Sequence, residues 1–162
     1  MPTRPHGTSE VSRVIAAPRE TVYRACLDPN AFAAWRAPDN MTGQMHGFDP
    51  RVGGGYRMSL TYQDPAGAPG KTSDNTDSFE GRFVELVPNT RIVEVVTFES
   101  ADPQFAGEMT ITTTLTDAGS GTEITMAFEN MPSGVRPEDN DEGTRQSLRK
   151  LAALVERRPL PG

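Results

Sequence analysis

Residues 143–156 read GTRQSLRKLAALVE and carry the longest helical periodicity in the chain. Apolar side chains recur there at the spacing of one helix face, at Leu148, Leu151, Ala152 and Val155. Polar and charged side chains fall on the opposite side of the same helix: Arg145, Gln146, Arg149, Lys150 and Glu156. The pattern therefore predicts an amphipathic helix over 143–156 whose apolar face packs against the rest of the domain.

Signals for both ends of this helix flank the periodic stretch. Pro137 and the acidic residues at 138–142 suit the positive N-terminal end of a helix. Arg157 and Arg158 suit the negative C-terminal end, and Pro159 stops the helix. A single amphipathic helix needs a surface to cover, and the residues before it read mostly as strands. We therefore expect a C-terminal helix that lies on a sheet.

The clearest strand pattern is YRMSLTY at residues 56–62. Tyr56, Met58, Leu60 and Tyr62 fall on one side of an extended chain, and the polar residues between them fall on the other. Similar patterns, separated by Gly, Pro, Asn and Asp, predict further strands. The full set of predicted strands is 10–16, 44–48, 56–62, 79–87, 91–99, 108–116 and 122–129.

Two short helices are predicted between the first and second strands. Val22, Tyr23, Cys26 and Leu27 form an apolar stripe after Pro18, and a second helix over 29–35 places Phe32 and Trp35 on one side. The order is one strand, two helices, six strands and a long helix. This order predicts an α+β domain in which an antiparallel sheet is covered by the C-terminal helix.

The remaining segments read as termini and loops. Residues 1–8 contain prolines and a glycine without an apolar run, so we expect a flexible arm, followed by a single domain over 9–158 and a tail at 159–162. Residues 63–78 lack any bulky apolar side chain and predict a long hairpin loop, which could act as a lid.

Composition excludes several classes of function. The net charge is -6 and no basic run is present, which argues against nucleic acid or an anionic membrane as partner. One cysteine permits no intramolecular disulfide, and no apolar stretch has the length of a membrane span. A cytoplasmic location is therefore expected.

Few residues suggest catalysis, and neither a metal site nor a cofactor is expected. The chain has two histidines, too few for a histidine-based zinc site, and Cys26 lies on the apolar stripe of its helix, as a buried structural thiol would. His46 and Asp49 could form an acid–base pair only if the turn at Pro50 redirects one of them. Glycines at 53–55 precede a strand, so they indicate a turn and not a phosphate-binding loop.

Three segments resemble a known superfamily. They read EVSRVIAAPRETVYRACLDPNAFAAW at 10–35, DSFEGRFVELVPNTRIVEVVTFE at 77–99 and EDNDEGTRQSLRKLAALVE at 138–156. Together they resemble the SRPBCC, or START-like, helix-grip domains, and in particular the branch of proteins similar to the activator of the heat-shock protein 90 ATPase. Thr144 stands where that branch usually has tryptophan.

The resemblance implies the helix-grip fold of the birch-pollen allergens, a curved antiparallel sheet of about six or seven strands around the C-terminal helix, with an internal cavity between them. Aromatic and methionine side chains on the inward faces suit an adaptable apolar pocket, although ordinary core packing remains the alternative for each of them. The predicted ligand-binding residues are Phe32, Trp35, Tyr56, Met58, Leu60, Phe79, Phe83, Glu94, Val96, Phe98, Met109, Ile111, Met126, Leu148 and Leu151.

Glu94 has two possible environments. If Ile92 and Val96 point inward, Glu94 does too, and its carboxylate needs a partner. Arg57, Arg82 or a ligand amine could serve. In the other register Glu94 faces water. We expect a Glu94→Gln variant to fold normally and, were the protein an enzyme using Glu94 with Tyr56, to lose turnover.

Three classes of function follow. The first is non-enzymatic binding of a small apolar or amphipathic molecule in the internal cavity. The second, implied by the resemblance, is a chaperone-associated interaction protein, and the third is an enzyme of the cyclase or aromatase kind found among helix-grip proteins. The resemblance also makes a homodimer plausible.

Overall fold

The computed structural model describes residues 7–37, 41–62, 76–100 and 102–156. Strands and helices follow the predicted order, with one additional 3-10 turn between the fifth and sixth strands. The elements are β1 (Ser9–Ile15), α1 (Arg19–Cys26), α2 (Pro29–Arg36), β2 (Met41–Phe48), β3 (Gly55–Tyr62), β4 (Thr76–Val87), β5 (Arg91–Phe98), the 3-10 turn (Pro103–Phe105), β6 (Glu108–Ala118), β7 (Gly121–Glu129) and α3 (Pro137–Val155).

All seven strands form one antiparallel sheet in the order β1-β7-β6-β5-β4-β3-β2. The sheet curls into a half-barrel. Its inner face carries alternate residues of each strand in register, as where Met58 pairs with Phe79 and Phe79 with Phe98. Irregularities that interrupt the register between Met45 and Gly47 and between Phe83 and Glu85 increase the local bend. The predicted α+β helix-grip architecture is confirmed.

Helices α1 and α2 close one end of the half-barrel. Asp28 caps α2, because its carboxylate accepts hydrogen bonds from the backbone N–H groups of Asn30 at 2.9 Å and Ala31 at 3.0 Å. On the predicted faces, Val22 and Cys26 of α1 and Phe32 and Trp35 of α2 are buried, whereas Tyr23 and Leu27 are half-buried.

Helix α3 begins at Pro137, six residues before the predicted start at Gly143. Pro137 occupies the first turn and Glu138 and Asp139 lie close to the positive end of the helix, so residues 137–142 carry the start signals and belong to the helix itself. The predicted apolar face is buried at Leu148, Leu151 and Ala152.

Polar contacts fix α3 to its neighbours. Ser147 donates to the carbonyl oxygen of Arg36 at 3.2 Å, and Lys150 donates to that of Ala37 at 2.7 Å. Both carbonyls lie at the C-terminal end of α2, where a helix leaves such groups without internal partners. At the other side, the backbone N–H of Ala16 donates to the Glu156 carboxylate at 2.8 Å. Helix α3 is therefore held against α2 and the end of β1.

Some sequence predictions concern residues outside the described part of the chain. These are most of the N-terminal arm with His6, loop residues 63–75, and residues 157–162 with the C-terminal tail. The predicted end of the long loop was wrong, because Thr76 and Ser78 belong to β4. The glycines at 53–55 lie at a turn, where Gly53 has a φ of +88° that favours glycine. No helix in the described residues is long and apolar enough to span a membrane.

Candidate ligand-binding cavity

A cavity of about 800 Å³ lies between the N-terminal half of α3 and the inner face of the sheet. The 3-10 turn and the loop before α3 complete its wall. Its lining residues are Arg36, Met41, Leu60, Tyr62, Asp77, Phe79, Val96, Phe98, Asp102, Gln104, Phe105, Met109, Ile111, Met126, Phe128, Gly134, Val135, Arg136, Asp139, Asn140, Glu142, Gly143, Thr144, Gln146 and Ser147.

The sheet side of the cavity is mostly apolar, and Tyr62 and Asp77 are its polar residues. Val96, Met109, Ile111 and Met126 are buried residues whose neighbours along β5, β6 and β7 are less buried, so they share the inner face. Phe79 and Phe98 stack edge to face with ring centroids 6.1 Å apart and extend this surface toward the 3-10 turn. Methionine and aromatic side chains together form a wall that can adapt to an apolar molecule.

Four charged lining residues form what we call the rim: Asp102 before the 3-10 turn, Arg136 before α3, and Asp139 and Glu142 on α3. All four are exposed. Asp77 lies deeper, 3% exposed, on the inner face of β4. Burial, and then the carboxylates of Asp77 and Asp139, raise the pKa of Tyr62 above its ordinary value. The opening is therefore predominantly acidic.

A buried polar cluster of Arg36, Glu94 and Tyr56 lies beside the apolar wall. Arg36 Nη2 donates to Glu94 Oε2 at 2.5 Å, and the Tyr56 hydroxyl donates to Glu94 Oε1. The side chains of Arg36 and Glu94 are 10% and 1% exposed. Arg36 lines the cavity itself, so one member of this cluster faces the space where a ligand would lie.

Aromatic rings hold the Arg36 guanidinium in place. Its Cζ atom is 4.2 Å from the ring centroid of Phe32 and 5.1 Å from that of Trp35. Such cation–π contacts strengthen when the cation is removed from water. Arg36 Nε is buried and has no hydrogen-bond partner within the described residues. The guanidinium is thus held by Glu94 and by two aromatic rings, and its buried Nε–H is unpaired within the described residues.

The cluster keeps its protons over the neutral pH range. Burial opposes the charge on Arg36, but the Glu94 carboxylate and Tyr56 hold the pKa of Arg36 above its ordinary value. Burial, and then the Glu94 carboxylate, raise the pKa of Tyr56 well above its ordinary value. Both groups therefore act as hydrogen-bond donors to Glu94.

Gly81 makes room for Tyr56. The two residues pair across β3 and β4, and a Cβ atom at position 81 would lie 2.3 Å from Tyr56 Cζ. The phenol ring therefore crosses the backbone of β4 to reach Glu94 on β5, which it could not do above a larger residue. The clustering of Arg36, Tyr56 and Glu94 depends on this glycine.

The predicted ligand-binding residues divide into two groups. One group lines the cavity: Leu60, Phe79, Val96, Phe98, Met109, Ile111 and Met126. The other group is buried but is not among the lining residues: Phe32, Trp35, Tyr56, Met58, Phe83, Glu94, Leu148 and Leu151. Phe32, Trp35, Tyr56 and Glu94 contact the lining residue Arg36 or belong to its cluster, whereas Leu148 and Leu151 lie in the C-terminal half of α3, beyond the cavity.

Glu94 points inward with Ile92 and Val96, as one of the two predicted registers required. The suggested protein partners were wrong. Arg57 instead pairs with Glu99 through two hydrogen bonds of 2.6 and 2.9 Å, and Arg82 is exposed. The partner is Arg36, and its position four residues after Phe32 on α2 is the sequence signal that could have identified it.

Other lining residues come from segments without a periodic pattern. Asp102 caps the 3-10 turn and Phe105 ends it, and Val135 and Arg136 belong to the loop before α3. Asp77 was assigned to a loop, although it occupies an inward position of β4. Thr144 is 6% exposed and donates to the Asn140 carbonyl at 2.7 Å, so its hydroxyl is satisfied within α3.

The remaining candidate reactive residues lie elsewhere. Cys26 is buried, and burial is the main reason that the pKa of its thiol is raised to about 12. His46 Nε2 is hydrogen-bonded to Ser59 Oγ at 2.8 Å, whereas Asp49 pairs with Arg51 at 2.8 Å, so His46 and Asp49 do not pair with each other. Within the described ranges, no group of three or more His, Cys, Asp or Glu side chains could hold a metal ion.

Known structures share this architecture. The crystal structure of protein CV1439 from Chromobacterium violaceum is 37% identical, with a TM-score of 0.82 over 93% of this chain and 98% of that one. Protein MLL2253 from Mesorhizobium loti is 25% identical, with a TM-score of 0.69 over 95% and 100% of the two chains. A protein from Arthrobacter aurescens, 14% identical with a TM-score of 0.76 over 92% and 86%, shares the fold.

No curated protein sequence matches this chain. The sequence model of one family, described as "Activator of Hsp90 ATPase homolog 1-like protein", matches residues 16–156. This match extends from the end of β1 to the end of α3 and so includes every strand and helix that lines the cavity. Its extent agrees with the resemblance of the three sequence segments and with the helix-grip fold. The chain therefore belongs to the Activator of Hsp90 ATPase homolog 1-like protein family.

Proposed function

We propose that this protein binds a small apolar or amphipathic molecule in the cavity beneath α3, without transforming it. The observation that carries the proposal is a space of about 800 Å³ whose sheet side is lined mainly by Val, Ile, Leu, Met and Phe. Pockets of this volume commonly hold small-molecule ligands. Transfer of an apolar molecule from water to such a wall is favourable, by about 25 cal/mol for each Å² of apolar surface buried.

The polar groups beside the cavity favour binding over catalysis. Both carboxylate oxygens of Glu94 already accept hydrogen bonds, and the raised pKa values of Arg36 and Tyr56 keep these groups protonated near neutral pH. A general acid or base works best with a pKa near the operating pH. Among the described lining residues there is no histidine or cysteine. This arrangement supports a ligand-orienting cluster more than the cyclase or aromatase alternative.

A chaperone-associated role is the second candidate function. The description of the family names an activator of the Hsp90 ATPase, and the match covers most of the chain. This role would use an exterior surface and would not depend on the cavity. Measured stimulation of an Hsp90 ATPase that persists when the cavity is filled would support it.

Binding of N-phenyl-1-naphthylamine, an uncharged dye that fluoresces in apolar surroundings, tests the first proposal. Thr144→Trp should fill part of the cavity, because Thr144 is a buried lining residue on α3. Ala153→Trp is the matched control, since Ala153 is exposed on the same helix and is not a lining residue. Thermal unfolding of each variant verifies that it folds.

We expect saturable dye binding by the unmodified protein and by Ala153→Trp, and binding about tenfold weaker by Thr144→Trp, as expected when one aromatic side chain takes up part of a pocket. Equal binding by all three proteins would place the dye outside the cavity. Absence of saturable binding by the unmodified protein would overturn the proposal.

A further inference from the structure

Two cations are among the lining residues: Arg136 on the exposed rim and Arg36 further inside. Arg36 is nine-tenths buried, and its guanidinium is fixed by Glu94 and by the rings of Phe32 and Trp35. Its Nε–H nevertheless has no acceptor within the described residues. That nitrogen is closed to solvent, so a ligand can contact Arg36 only through the exposed tenth of its side chain, which lines the cavity. A ligand acceptor that reaches the guanidinium there would gain a charge-assisted hydrogen bond.

The charge balance around Arg36 defines what kind of acceptor fits. Glu94 already neutralises the guanidinium through the bond at 2.5 Å, and Tyr56 adds no charge. An anionic ligand group placed there would add an uncompensated negative charge to a buried site, which is strongly unfavourable. An uncharged acceptor such as a carbonyl oxygen would form the hydrogen bond without this cost.

The charge of the rim is an independent argument that the cavity prefers uncharged ligands to anionic ones. Asp102, Asp139 and Glu142 outnumber Arg136 among its four residues, and Asp77 adds a carboxylate just inside. A cleft lined by one sign of charge lowers the local concentration of ions of that sign. Anionic molecules such as fatty acids are therefore disfavoured during entry as well as at the bound position.

We propose that the ligand is an uncharged apolar molecule with a hydrogen-bond acceptor, of the carbonyl type, that accepts from the Arg36 guanidinium. The proposal rests on the binding function proposed above and adds the chemical class of the ligand. Arg36 fixes the polar end of the molecule, and the side chains of β5, β6 and β7 contact its apolar part. The Arg36–Glu94 pair thus discriminates between ligands by charge.

Competition experiments with three probes of equal chain length test the proposal. Displacement of N-phenyl-1-naphthylamine at pH 7 is measured for 2-decanone, decanoate and decane. The test variant is Arg36→Met with Glu94→Gln, which removes the cation without leaving a buried carboxylate. Its matched control is Arg24→Met with Glu20→Gln, the same changes in an exposed ion pair on α1.

We expect the unmodified protein and the control to bind 2-decanone about tenfold more tightly than decanoate, since the carboxylate would bring an uncompensated negative charge to the buried site. The ratio of 2-decanone affinity to decane affinity should fall about tenfold in the test variant, while decane affinity stays the same.

Tighter binding of decanoate than of 2-decanone by the unmodified protein would overturn the assignment of an uncharged ligand. An unchanged ratio of 2-decanone to decane in the folded test variant would overturn the role of Arg36. In both cases the cavity would still bind apolar molecules, so the binding function would survive. Failure of the dye and of all three probes to bind would overturn both proposals together.

Discussion

At residue 94 the sheet places a carboxylate in the protein interior, where it contacts one cation and one phenol. Replacing Glu94 with Gln should destabilise the fold by about 3 kcal/mol, because the Arg36 charge would remain buried without its counter-ion. This expected loss of stability differs from the sequence-based expectation that the Glu94→Gln variant folds normally. The measurement is urea unfolding of the purified variant.

Glu123→Gln is the control for this comparison. Glu123 is exposed on β7, and its replacement should change the free energy of unfolding by less than about 0.5 kcal/mol. Equal stability of the Glu94→Gln, Glu123→Gln and unmodified proteins would show that the Arg36–Glu94 ion pair does not stabilise the interior.

Residue 81 controls the position of Tyr56. Gly81→Ala should destabilise the protein by roughly 1–3 kcal/mol, because the new Cβ would overlap a phenol ring that is packed against Phe32 and Phe83 and cannot move freely.

Gly47→Ala serves as the reference, because a Cβ atom at Gly47 of β2 would meet nothing within 4 Å. Thermal unfolding should separate the two alanine variants clearly. Matching unfolding temperatures would mean that the Tyr56 ring does not lie over Gly81.

At the scale of elements, the strands are the part of the fold that the sequence predicts best. Side chains alternate between the core and the outer face in β3 and β6, and this period is visible directly in YRMSLTY and in Met109, Ile111 and Leu115. Turn residues separate the strands, so the number of strands can also be counted from the sequence. Strands β2 to β7 lie beside their neighbours in the chain, as is usual for successive antiparallel strands, whereas β1 pairs with β7.

The start of α3 was predicted less well. Glycine at 143 and the loss of apolar periodicity before it suggested a boundary there, whereas the proline and acidic residues at 137–139 form the actual first turn. Residues 137–147 lie over the cavity, so they lack the regular apolar contacts that reveal a packed helix. The periodicity therefore marks only the half of α3 that packs against the core.

The effect of Gly143→Ala on stability distinguishes a start of α3 at Pro137 from a start at Gly143, because the two predict changes of opposite sign. Inside a helix, this change should stabilise the protein by about 0.5–1 kcal/mol, because glycine loses more backbone entropy than alanine. At a helix start, where glycine is preferred to alanine, it would destabilise the protein. The free energy of urea unfolding decides between them, and a loss of stability would contradict a start at Pro137.

The site was only partly predictable, because some of its contacts join residues that are far apart in the sequence. Inward residues of β5, β6 and β7 could be identified from their period, but Arg36 and Glu94 are separated by 58 positions in the sequence. Their meeting depends on how α2 closes the end of the curled sheet and on the space above Gly81. No local sequence pattern encodes either relation, so the sequence left open whether Glu94 is buried and did not identify Arg36 as its partner.

For the whole molecule, the cavity follows from the way α3 is anchored. Bonds from Ser147 and Lys150 hold the helix to α2, and Glu156 holds it to the end of β1. The N-terminal half of α3 then bridges the half-barrel without filling it. A packed core and a cavity are therefore compatible in one domain. The homodimer suggested by the sequence resemblance stays a prediction.

The central claim is that a small apolar molecule occupies this space. Methyl NMR of methionine-labelled protein during addition of 2-decanone tests it most directly, because Met41, Met109 and Met126 line the cavity whereas Met45 and Met131 do not. We expect saturable shifts of the Met41, Met109 and Met126 methyl signals, with those of Met45 and Met131 unchanged. Shifts confined to Met45 and Met131, or no shifts at all, would contradict the account.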